Sequence, residues 1–291
     1  MASLKELEDK LFGEIPNITV SSILDTLNDE KKKKINDFRE RINTKWNENE
    51  LLHDHDKKEN TFGAEYFLSD LTLYRFLSGY NWNVDEAEPV LKGACEWRKK
   101  YQPWNIDISD VKQFASQGSL FHSGFDKVGH PVIYVRLGND KMDNEKEESK
   151  QMKFRFFVWL YELCSRRMPQ NVYQTTWIVD LTDSSLSANM IKSTKDMFIE
   201  LGTYYVERLA AIVVINTPWS LKFLWGIVKM FLTQQTIDKY NIQGTLKEKD
   251  LNALLTPKID NSVLISDYSG AYKYTFDFEA LSQYDKLRLN K

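Results

Sequence analysis

Apolar residues are most concentrated in residues 209–239. The stretch opens with Ala210 to Ile215, a β-branched run too short for a buried helix, which predicts a strand covered on both faces. After Thr217-Pro218-Trp219, residues 219–232 read WSLKFLWGIVKMFL. At about 100° per residue their polar positions fall within an arc of roughly 60°, so they predict a helix that is apolar on nearly every side. Such a helix is buried in a core, inserted in a membrane or placed against an apolar ligand.

This helix is too short to span a bilayer. Its 14 residues rise about 21 Å at about 1.5 Å each, whereas the hydrocarbon core is roughly 30 Å thick. Lys222 and Lys229 make spanning still less favourable. Two alternatives remain at this point: a central core helix, and a helix that covers an apolar site.

Helical and strand patterns alternate through the rest of the chain. Helical periodicity covers residues 4–15, 24–46, 68–79, 84–97, 153–168 and 187–204, and strand patterns cover residues 120–125, 132–137 and 175–181. Pro16 is predicted to end the first helix, and Asn83 with Glu86 is predicted to cap the start of the fourth. Residues 141–150, which carry charges of both signs, are predicted to form an exposed loop.

Composition describes an ordinary globular protein. The 291 residues are 42% apolar and 28% charged, and their length predicts one large domain or two closely packed ones. The net charge of -3 argues against a broad nucleic-acid surface, since phosphate binding needs a clustered basic excess. The start MASLKELEDK lacks the continuous apolar region of a secretory signal, which predicts synthesis in the cytosol. Cys95 and Cys164 have no CxxC spacing and are predicted to be reduced, packed thiols.

Patterns for catalysis and metal binding are missing from the sequence. It contains no G-x-S-x-G elbow, G-x-x-x-x-G-K-[ST] loop or H-E-x-x-H helix. His53 and His55 alternate with aspartates in a polar segment without converging partners, so we expect no metal site there. His122 and His130 lie in a predicted hairpin with no nucleophile beside them. We therefore expect a protein without enzyme activity, metal or cofactor.

Three groups of residues follow one another in a distinctive order. The first is LYRFL at 73–77, WNVDEA at 82–87 and EWRKK at 96–100, and the second is the hairpin turn DKVGH at 126–130. The third group is Tyr204, Tyr205, Glu207 and Arg208, then the apolar strand, Asn216 and Pro218, the apolar helix, and finally Thr236 with Lys239. Together they span roughly residues 68–246 and resemble the CRAL-TRIO family, which includes phosphatidylinositol transfer proteins and carriers of tocopherol or retinaldehyde.

The resemblance implies an α/β fold. We expect a helical amino-terminal part, then a mixed β-sheet floor with flanking helices, and an apolar gate helix that encloses a lipid pocket. The corresponding division is a polar helical extension (1–60), amino-terminal family helices (61–104), a lipid-binding domain (105–275) and a carboxy-terminal tail (276–291). Residues 219–232 take the place of the gate helix.

The same resemblance implies a soluble, monomeric lipid-binding or lipid-transfer protein. Its partners would be one phospholipid, such as phosphatidylinositol, or another hydrophobic ligand, and transiently a membrane surface, with no nucleic acid. It would be cytoplasmic with peripheral membrane association. The alternatives are a lipid-sensing membrane adaptor and a carrier of a non-phospholipid ligand without transfer as its main role.

Site residues are carried over position by position. In family members that bind phosphatidylinositol, the residues matching Glu207, Thr236 and Lys239 contact the headgroup, and Asp238 lies beside them. Tyr80 stands where those members have a phosphate-contacting arginine, and a phenol cannot replace a bidentate, permanently charged group. Without the resemblance, Thr236 and Lys239 would be the surface end of a helix.

The expected pocket and hinge residues surround the apolar helix. Pocket and gate positions are Thr175, Trp177, Trp219, Phe223, Leu224, Ile227, Val228 and Phe231. Hinge positions are Thr217, Pro218 and Gly226, because glycine lowers helix stability by about 1 kcal/mol relative to alanine. Core packing for Trp177 and close helix packing for Gly226 are equally compatible with the sequence.

Overall fold

Five strands form one mixed sheet at the centre of the protein. The computed structural model describes residues 3–57, 67–184, 188–219, 221, 225, 226, 229 and 234–290. In chain order the strands are β1 (Leu120–Phe125), β2 (Pro131–Arg136), β3 (Thr175–Asp180), β4 (Leu209–Ile215) and β5 (Tyr240–Ile242), and they lie side by side in that order. β1 and β2 are antiparallel, whereas the other neighbours are parallel. The expected mixed sheet is confirmed.

Helices precede the sheet and connect its parallel strands. They are α1 (Leu4–Phe12), α2 (Asp29–Lys45), α3 (Glu48–Leu51), α4 (Asp54–Lys57), α5 (Asp70–Gly79), α6 (Val84–Tyr101), α7 (Lys112–Ala115), α8 (Glu147–Arg166), α9 (Ala188–Tyr204), α10 (Gln234–Ile237), α11 (Glu248–Leu255) and α12 (Phe278–Leu289). Short 3-10 turns cover Ile23–Thr26, Pro103–Asn105, Ile108–Val111, Leu137–Asn139 and Ser266–Tyr268. α8 joins β2 to β3 and α9 joins β3 to β4, because parallel neighbours require a crossover. The expected α/β architecture is confirmed, and no helix within the described ranges is long and apolar enough to cross a bilayer.

Several helix boundaries differ from the sequence prediction, including that of the helix predicted from residue 24, which begins only at Asp29. α1 ends at Phe12, before Pro16, because Gly13 adopts a φ of 76° and donates its N–H to the carbonyl of Asp9. α8 begins at Glu147, inside the segment predicted as a loop. The chain just before it is tied to the helix by buried Lys153, whose Nζ donates to Asn144 Oδ1 (2.6 Å) and to Asp140.

The sheet separates two hydrophobic cores, because successive side chains of a strand point to opposite faces. Ile133, Trp177 and Ile212 pack on the face that carries α8, and Val132, Ile178 and Val213 pack on the face that carries the carboxy-terminal segment. α1 belongs to the first core through Leu7, Leu11 and Phe12, so the predicted amino-terminal extension packs against the sheet in part. A third core joins α2, α5 and α6. Cys95 and Cys164 are buried free thiols, as predicted.

A buried ionic network joins the amino-terminal helices to the sheet layer. Arg98 of α6 donates from Nε and Nη2 to the carboxylate of Asp56 (both 2.9 Å) and from Nη1 to Glu162 of α8 (2.7 Å). The Tyr205 hydroxyl donates to the same Glu162 (2.8 Å). Burial raises the pKa of the Asp56 and Glu162 carboxyls, but Arg98, together with His55 at Asp56 and Tyr205 at Glu162, outweighs that effect and holds each pKa below its ordinary value. Helices α4, α6 and α8 therefore meet at one guanidinium, and Tyr205, which follows α9, joins them through Glu162.

We expect Arg98→Met to lower the free energy of unfolding by roughly 3–5 kcal/mol, because it leaves two carboxylates buried without their cation. Urea denaturation measures the change. Arg39→Met is the matched control, since the Arg39–Asp70 pair (2.8 Å) lies at the surface and its loss costs about 1 kcal/mol or less. Equal effects of the two substitutions would contradict the importance of the buried network.

A buried histidine lies between β1 and α1. The imidazole of His122 is 1% exposed and stacks on Phe12, with ring centroids 5.8 Å apart, and its Nδ1 lies 3.0 Å from the carbonyl of Val132. Burial, reinforced by the nearby Arg167 guanidinium, lowers the pKa of His122 to about 3. This histidine is therefore neutral in the folded protein at neutral and mildly acidic pH.

This neutrality predicts a loss of stability in acid. The unfolded chain protonates His122 near its ordinary pKa of about 6.5, whereas the folded protein resists protonation down to about 3. The contribution of neutral His122 to the free energy of unfolding is therefore fully present above pH 6.5. Below that pH it falls by up to roughly 1.4 kcal/mol for each pH unit. His122→Phe should reduce that slope between pH 6.5 and 4 in denaturation curves. The same slope in both proteins would contradict the assignment.

Candidate functional site

A cavity of about 1910 Å³ lies on the sheet face that carries α8 and α9. Its floor includes alternate residues of β2, β3, β4 and β5: Val135, Trp177, Val179, Ile212, Val214, Tyr240 and Ile242. Alternation places all of them on one face, because the side-chain period of a strand is two. Small-molecule pockets usually measure roughly 300–1,000 Å³, so this cavity has room for a ligand larger than a drug-sized molecule.

Aromatic rings form much of the cavity wall. The rings are Tyr80, Trp97, Tyr101, Phe114, Phe154, Phe157, Tyr161, Trp177, Phe198, Tyr204, Tyr205, Trp225 and Tyr240. Several stack on each other: Trp97 on Tyr204 with centroids 4.1 Å apart, and Phe157 on Trp177 at 5.8 Å. The ring centroid of Trp225 lies 4.6 Å from that of Tyr240 of β5. These contacts hold the rings in place, so the aromatic part of the cavity wall is rigid.

One end of the cavity carries an ion pair. Lys239 Nζ donates to Glu207 Oε2 at 2.9 Å, and each side chain is 15% exposed. Glu207 precedes β4 and Lys239 precedes β5, and these strands are parallel, so both residues reach the same edge of the sheet. Thr236 and Tyr80 line the cavity with them. The structure thus brings together four of the five residues expected at the headgroup.

Tyr80 reaches this end because α5 approaches the turn before β4 closely. A Cβ added at Gly79 would lie 2.7 Å from Val206 Cγ1, so only glycine allows this approach without displacement. Burial raises the pKa of the Tyr80 phenol, which therefore remains a neutral hydrogen-bond donor. The polar end combines a neutral hydroxyl with a paired lysine.

Three expected site residues do not line the cavity. Asp238 is exposed and accepts a hydrogen bond from Gln234 Nε2 (2.6 Å). Thr175 is fully buried beside the cavity, where its hydroxyl accepts from the Trp177 indole (2.8 Å) and donates to the carbonyl of Arg208 (3.0 Å). Trp219 is 85% exposed and is not a lining residue.

The apolar segment after β4 is described in part. Leu221 and Trp225 line the cavity, and their i, i+4 spacing puts them on one helical face, whereas Trp219 points away from that face. The expected gate residues Phe223, Leu224, Ile227, Val228 and Phe231 lie outside the described residues. Neither Leu221 nor Trp225 was singled out from the sequence, although the same spacing could have identified them.

The expected hinge residues lie at the start of this segment and within it. Thr217 is buried and donates its N–H to Gln243 (3.1 Å), whereas Pro218 is exposed and its carbonyl accepts from Leu221 (3.0 Å). A Cβ added at Gly226 would meet no described atom within 4 Å, so the described contacts do not require glycine for close packing there. A hinge role for these residues stays a prediction.

Five aromatic lining residues of α6 and α8 were not predicted from the sequence. Trp97 and Tyr101 of α6, and Phe154, Phe157 and Tyr161 of α8, all face the cavity. Their spacing of three or four residues was visible, but it is also the spacing of ordinary core residues. Only the tertiary arrangement of the two helices distinguishes the alternatives.

The histidines near the amino terminus pack against aromatic residues. His55 stacks on Trp104 at 4.3 Å between centroids, and His53 lies 4.8 Å from the same ring. Asp56 belongs to the Arg98 network. Within the part of the chain that the structure describes, no group of three or more histidine, cysteine or acidic side chains could hold a metal ion.

Comparison with known sequences agrees with this architecture. The sequence profile of the CRAL/TRIO domain matches residues 115–270, which is more than half of the chain and contains all five strands. The protein therefore belongs to the CRAL/TRIO family.

Individual relatives come from fungi and plants. The chain is 28% identical to the SEC14 cytosolic factor of Yarrowia lipolytica over 206 residues, covering 65% of this chain and 42% of that protein. It is 27% identical to the phosphatidylinositol/phosphatidylcholine transfer protein SFH11 of Arabidopsis thaliana over 198 residues, covering 60% and 50%. The chain thus spans half or less of the length of these two relatives.

A solved structure shows the same fold. The crystal structure of Sfh5 superposes with a TM-score of 0.56 at 16% identity, covering 78% of this chain and 84% of that one. The helical amino-terminal part and the mixed sheet are therefore an arrangement that other chains also adopt.

Proposed function

We propose that this protein holds one phospholipid in its cavity and exchanges it between membranes. The observation that carries the proposal is the cavity itself: about 1910 Å³, with a floor and wall rich in apolar and aromatic side chains, and with the Glu207–Lys239 ion pair and the Tyr80 phenol at one end. A lipid carrier must enclose long apolar chains and fix one polar group, and few polar contacts suffice for that. Exchange requires no covalent chemistry, so we propose a protein that is not an enzyme.

The polar end suits a phosphate-containing headgroup. Lys239 can donate to a phosphate oxygen, and Glu207 can accept from headgroup hydroxyls or lie beside a choline cation. Tyr80 adds one neutral donor where an arginine would add a fixed charge. The Arabidopsis relative is named for phosphatidylinositol and phosphatidylcholine, which share a phosphodiester, and we propose the same class of ligand for this chain.

Membrane contact would take place beside the apolar segment after β4. Trp219 is 85% exposed there, and Phe198 and Ile199 of α9 are also exposed near the cavity. Tryptophan favours membrane interfaces because its ring is apolar and its N–H can remain hydrated. We propose a cytosolic protein that meets membranes transiently through this region, with residues 219–232 as the gate.

A second candidate ligand follows from the aromatic wall. Stacked rings such as Trp97 on Tyr204 and Phe157 on Trp177 offer flat faces, which suit a rigid hydrophobic ligand with rings of its own. Mass spectrometry of organic extracts from the purified protein distinguishes the two candidates. A stoichiometric phospholipid supports the first, a ring-containing apolar molecule supports the second, and absence of any hydrophobic ligand contradicts both.

Blocking the floor should prevent ligand binding without unfolding the protein. Val179 and Val214 are register partners on β3 and β4 and both line the cavity, so Val179→Trp with Val214→Trp places two indoles side by side on the floor. We expect the bound lipid per protein to fall several-fold in native mass spectrometry. Val128→Trp is the matched control, because Val128 is 53% exposed in the hairpin turn. Undiminished lipid in the double variant would place the ligand elsewhere.

Removing Lys239 should weaken binding of the lipid headgroup and leave the apolar cavity unchanged. Lys239→Ala removes the positive charge beside the Glu207 carboxylate, whose negative charge then repels a phosphate, so we expect transfer of phosphatidylinositol between vesicles to fall at least tenfold, an effect of about 1.4 kcal/mol. Lys247→Ala, at an exposed position before α11, serves as the control. Unchanged transfer by the Lys239 variant would remove the headgroup assignment and leave the apolar cavity unaffected.

A further inference from the structure

The turn that presents Glu207 has an unusual backbone. Glu207 adopts a φ of 56°, in the left-handed region that a residue with a side chain occupies at a cost of about 1–2 kcal/mol. Such a conformation persists only where surrounding contacts enforce it. Contacts from residues outside the Val206–Arg208 turn must therefore hold it in this conformation.

Each carbonyl of this turn accepts a hydrogen bond from a distant residue. Arg75 Nη1 donates to Val206 (3.2 Å), Gln174 Nε2 donates to Glu207 (3.2 Å), and Thr175 donates to Arg208 from its N–H (2.8 Å) and its hydroxyl (3.0 Å). The donors come from α5 and from the start of β3. Three consecutive carbonyls are thus fixed from two sides.

Gln174 differs from the other two donors. Arg75 is 1% exposed and Thr175 is fully buried, so both also contribute to the hydrophobic interior. Gln174 is only partly buried, and its Nε2 donates to both the Glu207 and Leu209 carbonyls (3.2 Å each), one on either side of Arg208. Its side chain spans the turn without filling the core.

We propose that Gln174 is a positioning residue that sets headgroup selectivity by holding the Glu207 carboxylate against Lys239. The role rests on the proposed function. With the turn fixed, the carboxylate balances the charge of Lys239, and the polar end suits a zwitterionic headgroup. Once the turn relaxes, Glu207 withdraws and Lys239 presents a net positive charge, which favours an anionic headgroup.

The test compares transfer of phosphatidylcholine and phosphatidic acid with identical acyl chains. Gln174→Met removes the donor and keeps the length of the side chain, and we expect the ratio of phosphatidic acid to phosphatidylcholine transfer to rise roughly three- to tenfold, as for the loss of one or two hydrogen bonds. Glu207→Gln should raise the same ratio. Because Gln174 acts through Glu207, the double variant should change the ratio no further than Glu207→Gln alone.

Controls separate this role from a general loss of stability. Gln117→Met also removes a side-chain donor to a backbone carbonyl (2.7 Å), at a position that does not line the cavity, and should leave the ratio unchanged. If Gln174→Met does not fold, Gln174→Glu keeps the shape and replaces the donor with a carboxylate. An unchanged ratio in the Gln174 variants, or additive effects in the double variant, overturns the positioning role. Failure of the wild-type protein to transfer any of phosphatidylcholine, phosphatidic acid and phosphatidylinositol overturns the proposed function itself.

Discussion

One buried guanidinium connects the helical layer to the lipid-binding layer. Arg98 holds Asp56 from α4 and Glu162 from α8, and Glu162 in turn accepts from Tyr205 at the end of α9. Each charge in this network is buried, so its desolvation is offset only while all its partners remain in place. α8 and α9 form the walls of the cavity, and their separation is therefore fixed by the same contacts that attach the amino-terminal helices.

Two kinds of information in the sequence predicted the fold. Residue period identified four of the five described strands, because buried β-branched runs such as Ala210 to Ile215 have few other structures available, and it missed the three-residue β5. The ordered motifs then supplied the topology, which periodicity alone does not contain. Boundaries were less predictable: α1 ends at Phe12 because of the positive φ of Gly13, which no pattern of apolar residues reveals.

The polar end of the cavity was predictable only where the resemblance named a residue. Glu207 and Lys239 meet because two parallel strands start at the same edge, which requires the sheet register. The residues that donate hydrogen bonds to the Val206–Arg208 turn lie more than thirty positions away in sequence. Hydrogen bonds from side chains to backbone carbonyls also produce no recognisable residue spacing, so the sequence did not predict them. The aromatic residues of the cavity wall were not predicted for another reason. On a helix, rings that face a cavity recur at the same spacing as rings that face a core, so the sequence does not distinguish them.

The edge at which the polar residues lie has a further consequence. Ligands of open α/β sheets usually bind at the carboxyl ends of the strands, where loops supply the contacts. Here Glu207 and Lys239 lie just before strands, and the ladder hydrogen bonds of β4 and β5 anchor the backbone that follows them. The connections at the opposite edge, such as the one between β2 and α8, can therefore gain or lose residues without moving this ion pair, and diversity in length should accumulate there.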